Sequence, residues 1–597
     1  MSKITERIKQ LRNAMQQSGV AACIVPGTDP HASEYIADFW KEREWISGFD
    51  GSAGTVVIAM NNAGLWTDSR YFLQAAEQLN GTGIELMKMG DPSTPDMLSW
   101  ICAELKPGEK VGVNPQMFSV NAYAAMKNDF LVNGIQLVTV DLMAEVWAER
   151  PALPKIPFYV FDATHAGRQA KEKLSELREE LNRLHADFMV LSALDDIAWL
   201  YNIRGKDVDY NPVVIAYSVV SKSEAVLFID NEKLTPENSS YLDDQGVQVL
   251  PYDAIYGYLN KLQPNSSILI DGAKLNQSLN EAIPADIRRI NTMSLVFKMK
   301  SIKNNIEVEG IRRAMLKDGV ALTRFFMWLE KNVTSGELTE LSISEKLYQF
   351  RAGQEGFVGE SFGTIAGYKA HGAIVHYKAN AESDAKLRPE GILLLDSGGQ
   401  YFDGTTDITR TTALGEPTKE QKSDFTLVLK GHIALSKAIF PKGTRGSQLD
   451  VLARKALWDM GLNYGHGTGH GVGHFLNVHE GPQSIRMEEN PAVLQPGMIL
   501  SNEPGMYRTG EYGIRTENLV HVVPAVKTEF GEFFEFETLT LFPIDKKLIE
   551  IMLLNDEESE WIDDYHRKVF ESLAPLLSIE EQIWLKEKCL PIYGLVE

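Results

Sequence analysis

Apolar residues recur at helical spacing near the start of the chain, at Ile4, Ile8, Leu11 and Met15, with charged residues between them. Steps of three and four residues put these side chains on one face and predict an amphipathic helix. Short apolar runs follow at 22–25 (Ala-Cys-Ile-Val) and 55–58 (Thr-Val-Val-Ile). Helical patterns alternating with runs of this length predict an α/β domain reaching to about Glu149. Pro151, Pro154 and Pro157 then fall within seven residues, which neither a helix nor a central strand can accommodate, so a linker is expected there.

The next segment echoes the first. Leu174, Leu177, Leu181 and Leu184 predict a second amphipathic helix, and the apolar run 188–191 follows it. Trp199 precedes Gly205 by six residues, as Trp45 precedes Gly51, and 213–216 (Val-Val-Ile-Ala) repeats 56–59. The spacings between these landmarks differ, so the echo reads equally as a duplication or as two separate α/β domains. Near Lys303 a third segment begins, with Val308, Ile311, Met315 and Leu322 marking a helix, and no comparable break follows. The expected division is 1–155, 156–303 and 304–597.

Composition narrows the class. The 597 residues are 44% hydrophobic and 23% charged, enough for several cores, and carry a formal net charge of −22. Such a surface repels nucleic acid and anionic lipid. Three cysteines, Cys23, Cys102 and Cys589, make no disulfide framework and fit a reducing compartment. No stretch approaches the roughly 20 apolar residues of a membrane span, and no signal-peptide pattern opens the chain. A soluble cytoplasmic protein is expected, with neither nucleic acid nor membrane as partner.

Candidate chemistry is confined to the third segment. The run 391–395 ends in Asp396, glycines turn the chain, and a Thr-rich strand follows Asp407. A hairpin would bring the two carboxylates to one point, where they repel unless a cation or proton intervenes; equally, each could cap a turn. Four of the 12 histidines, His466, His470, His474 and His479, fall within 14 residues, and His470 has glycine on both sides, which would let the backbone approach whatever the ring binds. The glycine spacing is not that of a dinucleotide loop, nor is the pattern H-E-x-x-H; the alternative is a flexible loop of satisfied histidines. A further apolar run ends at Glu503, which Pro504 and Gly505 follow, and Arg515 and Glu517 are two apart, on one face if extended. Taken singly, either could be a surface ion pair. Together, four carboxylates and one imidazole at strand ends and glycine turns suit hard divalent ions such as manganese. They do not suit a structural zinc tetrahedron, and their number fits two ions about 3.5–4 Å apart.

At these residues the sequence resembles the creatinase/prolidase/methionine-aminopeptidase family with the pita-bread fold, and most closely its long three-domain Xaa-Pro aminopeptidase branch. The resemblance extends to 47–54 and 66–72 in the first domain and to 210–212 in the second. It implies α/β first and second domains of the creatinase N-terminal type ahead of an α+β pita-bread catalytic domain. The implied substrates are peptides with proline at position two, whose first residue is removed through a hydroxide shared by two divalent ions, most readily Mn2+, in a homodimer joined through the last domain. On this resemblance Asp396 binds one metal, Asp407 and Glu517 bridge both, and His470 and Glu503 complete the second. His376 is the substrate-side histidine, His376 or His479 is expected to stabilise an oxyanion, and Glu503 is expected to move the proton. His466 and His479 bind the substrate or support the ligands, Arg70 reaches the substrate, and Arg515 supports the ligand strand and the substrate. Ser501 and Asn502, where some relatives carry an acid, and His474, where others carry a small residue, are expected to touch no ligand. The alternatives are a prolidase restricted to dipeptides and an inactive interaction module on the same fold.

Overall fold

The computed structural model describes residues 3–592. Contacts divide the chain into two compact units: one takes in the chain to Ala163 together with Arg168–Phe297, the other Thr164–Gly167 and the chain from Lys298 onward. No helix among the described residues is long and apolar enough to cross a membrane.

In the first unit, the opening pattern forms the helix Lys3–Gln17, which buries Ile8, Leu11, Ala14 and Met15. Six strands follow: β1 (Ala22–Pro26), β2 (Thr55–Ala59), β3 (Ala63–Thr67), β4 (Glu85–Lys88), β5 (Lys110–Val113) and β6 (Gln136–Thr139). They form one sheet in the order β4-β3-β2-β1-β5-β6. The second half supplies β7 (Phe188–Leu191), β8 (Ala216–Ser221), β9 (Ala225–Ile229), β10 (Gln248–Pro251), β11 (Ser267–Ile270) and β12 (Arg288–Asn291), ordered β10-β9-β8-β7-β11-β12. Order and orientation match strand for strand: the first two pairings of each half are antiparallel and the outer ones parallel. The two halves are therefore a topological repeat.

The register of the repeat differs from the sequence echo. Val56 pairs with Val25, and the equivalent partner of Leu191 is Ser218, so 56–59 corresponds to 218–221 and not to 213–216. Residues 213–215 are buried in the approach to β8, where the Asp207 carboxylate accepts from the Ile215 N–H at 2.6 Å. They have the composition of a strand, but the Ile215 N–H is taken by that side chain and the Val213 N–H by the Asn211 carbonyl. The two halves meet at His31, whose ring nitrogens lie 2.8 Å from the Ser192 carbonyl and 2.9 Å from the Tyr252 hydroxyl.

The longest helix of the second unit is Asn305–Asn332, started by a capping box of Asn304 and Glu307. It buries Val308, Ile311, Met315 and Leu322, as their spacing predicts. Three antiparallel strands, β13 (Ile365–Tyr368), β14 (Ile392–Ser397) and β15 (Ile408–Ala413), form one small sheet. A second sheet is antiparallel throughout. Its strands are β16 (Phe440–Pro441), β17 (Gly469–Gly471), β18 (Glu480–Ile485), β19 (Ile499–Asn502), β22 (Asn518–Thr528) and β23 (Gly531–Thr538), in the order β16-β23-β22-β19-β17-β18. Between them lies the hairpin β20 (Gly505–Arg508) and β21 (Tyr512–Arg515). The helices Lys419–Ser436 and Gly446–Trp458 contribute Phe425, Val428, Leu429, Ile433 and Leu457 to the main core, where they meet Ile499, Ile514 and Leu519 of the strands.

Candidate metal centre

Each candidate acid stands where a strand starts or stops. Asp396 is next to last in β14 and pairs with Thr409 of β15, so Asp407, just before β15, lies beside the end of β14. The intervening chain is not a tight turn. It makes a separate hairpin, Gly399–Tyr401 with Gly404–Thr405, before returning. Glu503 follows β19, and Glu517 lies between β21 and β22. His470 is the middle residue of β17. The reason for its flanking glycines differs from the expectation: a Cβ at Gly469 would stand 2.0 Å from the Ser501 carbonyl oxygen, and one at Gly471 2.2 Å from that of Glu480. The neighbouring strands, not a ligand, require them.

The five groups converge. His470 Nε2 is 3.5 Å from Asp407 Oδ2 and 3.4 Å from Glu503 Oε1. Ligand atoms of Asp407, His470 and Glu517 all lie within 4.8 Å of one another. Asp396 is joined through Arg515, whose Nη2 donates to its Oδ2 at 2.6 Å. The Thr409 hydroxyl accepts from Arg515 Nε at 3.1 Å and donates to Glu517 Oε2 at 2.7 Å.

The electrostatics follow from this crowding. Burial lifts the Glu517 carboxyl well above its ordinary range, and the charges of Asp407, Glu503 and Asp396 add to the effect. Burial raises Asp396 against the opposing pull of Arg515, and raises Glu503 to about 7 against that of His470. For His470 burial acts downward, but the Asp407 and Glu503 carboxylates outweigh it and lift the imidazole to about 9. Buried acids that hold protons against their ordinary chemistry are what a multivalent cation relieves. Asp396 Oδ1 is buried with no hydrogen-bond partner among the described residues, leaving a free acceptor. Oxygen donors with one imidazole fit hard divalent ions.

The predicted histidines and Arg515 of the second unit fall around this cluster. The His479 ring stands edge-on to that of His470, with centroids 4.4 Å apart at 86°. His466 Nε2 is 2.8 Å from the Tyr507 hydroxyl, which accepts from Arg515 Nη1 at 2.6 Å, so His466 is linked to Asp396 through two side chains. His376 follows Val375, whose carbonyl accepts from Arg515 Nη2 at 3.4 Å. Arg515 is itself buried, with 2% of its side chain exposed, and these contacts make it a holder of the site. Arg70 belongs to the first unit, where Asp68 pairs with it at 2.7 Å.

Three supporting residues escaped the sequence reading. Thr409 and Tyr507 complete the network around Arg515. Ser501, expected to touch no ligand, touches two candidate ligand residues: its hydroxyl accepts from the His470 backbone N–H at 2.9 Å and donates to Glu503 Oε1 at 3.1 Å. Two-residue alternation puts Thr409 on the face of Asp407 and Ser501 on that of Glu503, which is the signal that could have found them. His474 is buried, and its Nε2 lies 2.8 Å from the Asp403 carbonyl.

Comparison with known proteins agrees with this architecture. The chain matches the description "Creatinase/Prolidase N-terminal domain" twice, over 7–147 and 149–307. "Metallopeptidase family M24" matches 309–524, and the C-terminal region of that peptidase family matches 532–592. Aminopeptidase P2 of Arabidopsis thaliana is 41% identical, over 99% of this chain and 89% of its own. Xaa-Pro aminopeptidase ApepP of Drosophila melanogaster is 40% identical, over 99% of each. Among solved structures, the X-prolyl aminopeptidase of Caenorhabditis elegans, described as a cytosolic enzyme with a di-nuclear active site, superposes with a TM-score of 0.95 at 36% identity, covering 99% of this chain and 100% of that one. With likeness of this extent running through both N-terminal repeats and the catalytic segment, the chain belongs to metallopeptidase family M24, in the long aminopeptidase P form with the pita-bread catalytic fold.

Proposed function

We propose that the chain is a metallo-aminopeptidase that hydrolyses the bond between the first residue of a peptide and a proline at position two. The observation that carries this reading is the convergence of Asp407, His470 and Glu503, with Glu517 bonded through Thr409 and Asp396 through Arg515. The names of the full-length relatives support the substrate class.

Asp396, Asp407, His470, Glu503 and Glu517 would hold two divalent ions. When bound, such ions activate a water as nucleophile and polarise the scissile carbonyl. The chain's own residues do the rest. Glu503, oriented by Ser501, takes the proton of the attacking water and passes it to the leaving nitrogen. That nitrogen is proline's and has no hydrogen in the amide, so protonation must accompany its departure. His376 or His479 donates a hydrogen bond to the carbonyl oxygen as charge develops on it. Arg515 keeps Asp396 and Thr409 in place, and His466 steadies Arg515 through Tyr507. Arg70 is assigned to the substrate on the family likeness.

Several finer assignments belong to the same reading. Manganese is the proposed metal, supported by the hard oxygen donors. A cytosolic location is supported by the description of the C. elegans enzyme. A homodimer joined through the last domain is supported by an exposed apolar surface there: Val451 and Trp458, seven residues apart on one helix, with Met460 just beyond. Three domains bounded near 155 and 303 are supported by the places where the matched family ranges meet.

The test is product analysis on an Xaa-Pro-Xaa tripeptide beside an Xaa-Pro dipeptide, with and without Mn2+. Release of the first residue from the tripeptide, dependent on added metal, is expected. Turnover of the dipeptide alone, or of neither, would defeat the proposal.

A further inference from the structure

The turn that carries His376 is held from below by a carboxylate outside the metal cluster. Glu340 is the first residue of the helix Glu340–Ala352 and is fully buried. Its Oε1 accepts from the Tyr368 N–H at 2.9 Å and from His371 Nδ1 at 2.9 Å. Its Oε2 accepts from the Tyr377 hydroxyl at 2.8 Å and from the Ala385 N–H at 3.0 Å. An ionised carboxylate offers about four acceptor sites, and four donors meet them. A buried carboxylate is costly unless its sites are filled, and here they are filled almost entirely by one turn: three of the four donors belong to residues 368, 371 and 377. The His371 and Tyr377 rings also stack, with centroids 4.4 Å apart at 27°.

The other side of the same turn is tied to the metal cluster. The carbonyl of Val375 accepts from Arg515, the guanidinium that also holds Asp396. His376 thus stands between two anchored neighbours, one bonded to the residue that places Asp396 and the other to Glu340.

We propose that Glu340, acting through the Tyr377 hydroxyl and His371, is a positioning residue that sets His376 against the reacting carbonyl. The inference rests on the substrate-side role of His376 proposed above. A donor that stabilises developing charge must be in place before the reaction, and a displacement of the order of 1 Å lowers the rate. The clamp therefore acts on turnover, not on metal loading. Exchanging Glu340 for glutamine would point an NH2 group at donors that need an acceptor, whereas exchanging Tyr377 for phenylalanine keeps the stacked ring and removes a single donor.

The experiment compares steady-state kinetics, metal content and Tm for Tyr377→Phe, Glu340→Gln, His376→Ala and the double variant Tyr377→Phe/His376→Ala, in the full chain with Mn2+. Tyr377→Phe is expected to lower kcat roughly tenfold, with KM, metal content and Tm close to wild type. The double variant should be no slower than His376→Ala, because Tyr377 acts through His376. Losses that multiply in the double variant would overturn the proposal, as would a wild-type kcat for Tyr377→Phe beside a slow His376→Ala. A wild-type rate for His376→Ala would remove the role of His376, and the clamp with it. If Glu340→Gln does not fold, Tyr377→Phe carries the test alone.

Discussion

The Thr409 hydroxyl donates to Glu517 Oε2 at 2.7 Å. Because the Thr409 hydroxyl oxygen also accepts from Arg515 Nε, one hydroxyl orients a candidate metal-site carboxylate and the arginine that holds another, Asp396.

Thr409→Val keeps the shape of the side chain and removes both bonds. Groups that orient metal-binding side chains carry about 10- to 100-fold in metal affinity. The Mn2+ titration of activity should shift to higher concentration by a factor in that range, with much of the rate recovered at saturation. An unshifted titration would show that Thr409 does not orient Glu517.

Arg515→Lys retains the charge but loses the planar fork. A lysine cannot serve Asp396, Thr409, Tyr507 and the Val375 carbonyl together. A loss in kcat/KM of roughly two orders of magnitude is expected, since misplacement near the reacting centre costs about that much. A wild-type value would mean that charge alone matters there.

Replacing Glu517 or Asp407 by Ala should abolish hydrolysis of Xaa-Pro-Xaa peptides, because each removes a donor from the cluster. Glu517→Gln should also raise the Tm of chelator-treated protein, since the Glu517 carboxyl is held well above its ordinary range by burial and by neighbouring carboxylates. Stability given up for a metal site returns when the site is lost. A lower Tm than that of chelated wild type would contradict the proposed repulsion.

The same crowding sets a pH dependence for metal-stripped protein. Glu503 is raised from 4.5 to about 7, so the folded state binds more protons than the unfolded one across that window and stability falls as pH rises through it. His470 is raised from 6.5 to about 9. Its contribution is fully present below 6.5 and is lost as pH rises through 9. Both signs agree. The Tm of chelated protein should fall between pH 5 and pH 9, and Mn2+ should flatten the dependence. A chelated Tm that rises over this range would contradict both shifts.

Much of the site was legible from the chain. Asp396, Asp407, His470 and Glu503 are each marked by an apolar run that stops, by a glycine turn or by proline, and Glu517 by its spacing from Arg515, so the chemistry at these strands was readable before the two sheets that carry them were. The helices at 3–17 and 305–332 were equally plain, because burial of one face leaves a period in the sequence. The residues that hold the ligands in place were less visible. Strand alternation could place Thr409 and Ser501 on the faces of Asp407 and Glu503 but not name the partners they meet, and Tyr507 and Glu340 are ordinary residue types whose partners lie far along the chain.

By itself, then, the sequence determined the period of each element and the chemistry available at its ends, since both are local properties of neighbouring residues. Tertiary structure alone decided that 56–59 has its counterpart at 218–221, that a hydroxyl 108 positions away reaches Glu517, and that Glu340 meets the turn bearing His376. Register and side-chain partnership depend on which strands and turns lie side by side. That is settled by burying apolar surface and satisfying buried polar groups over the whole unit, and no window of the chain records it.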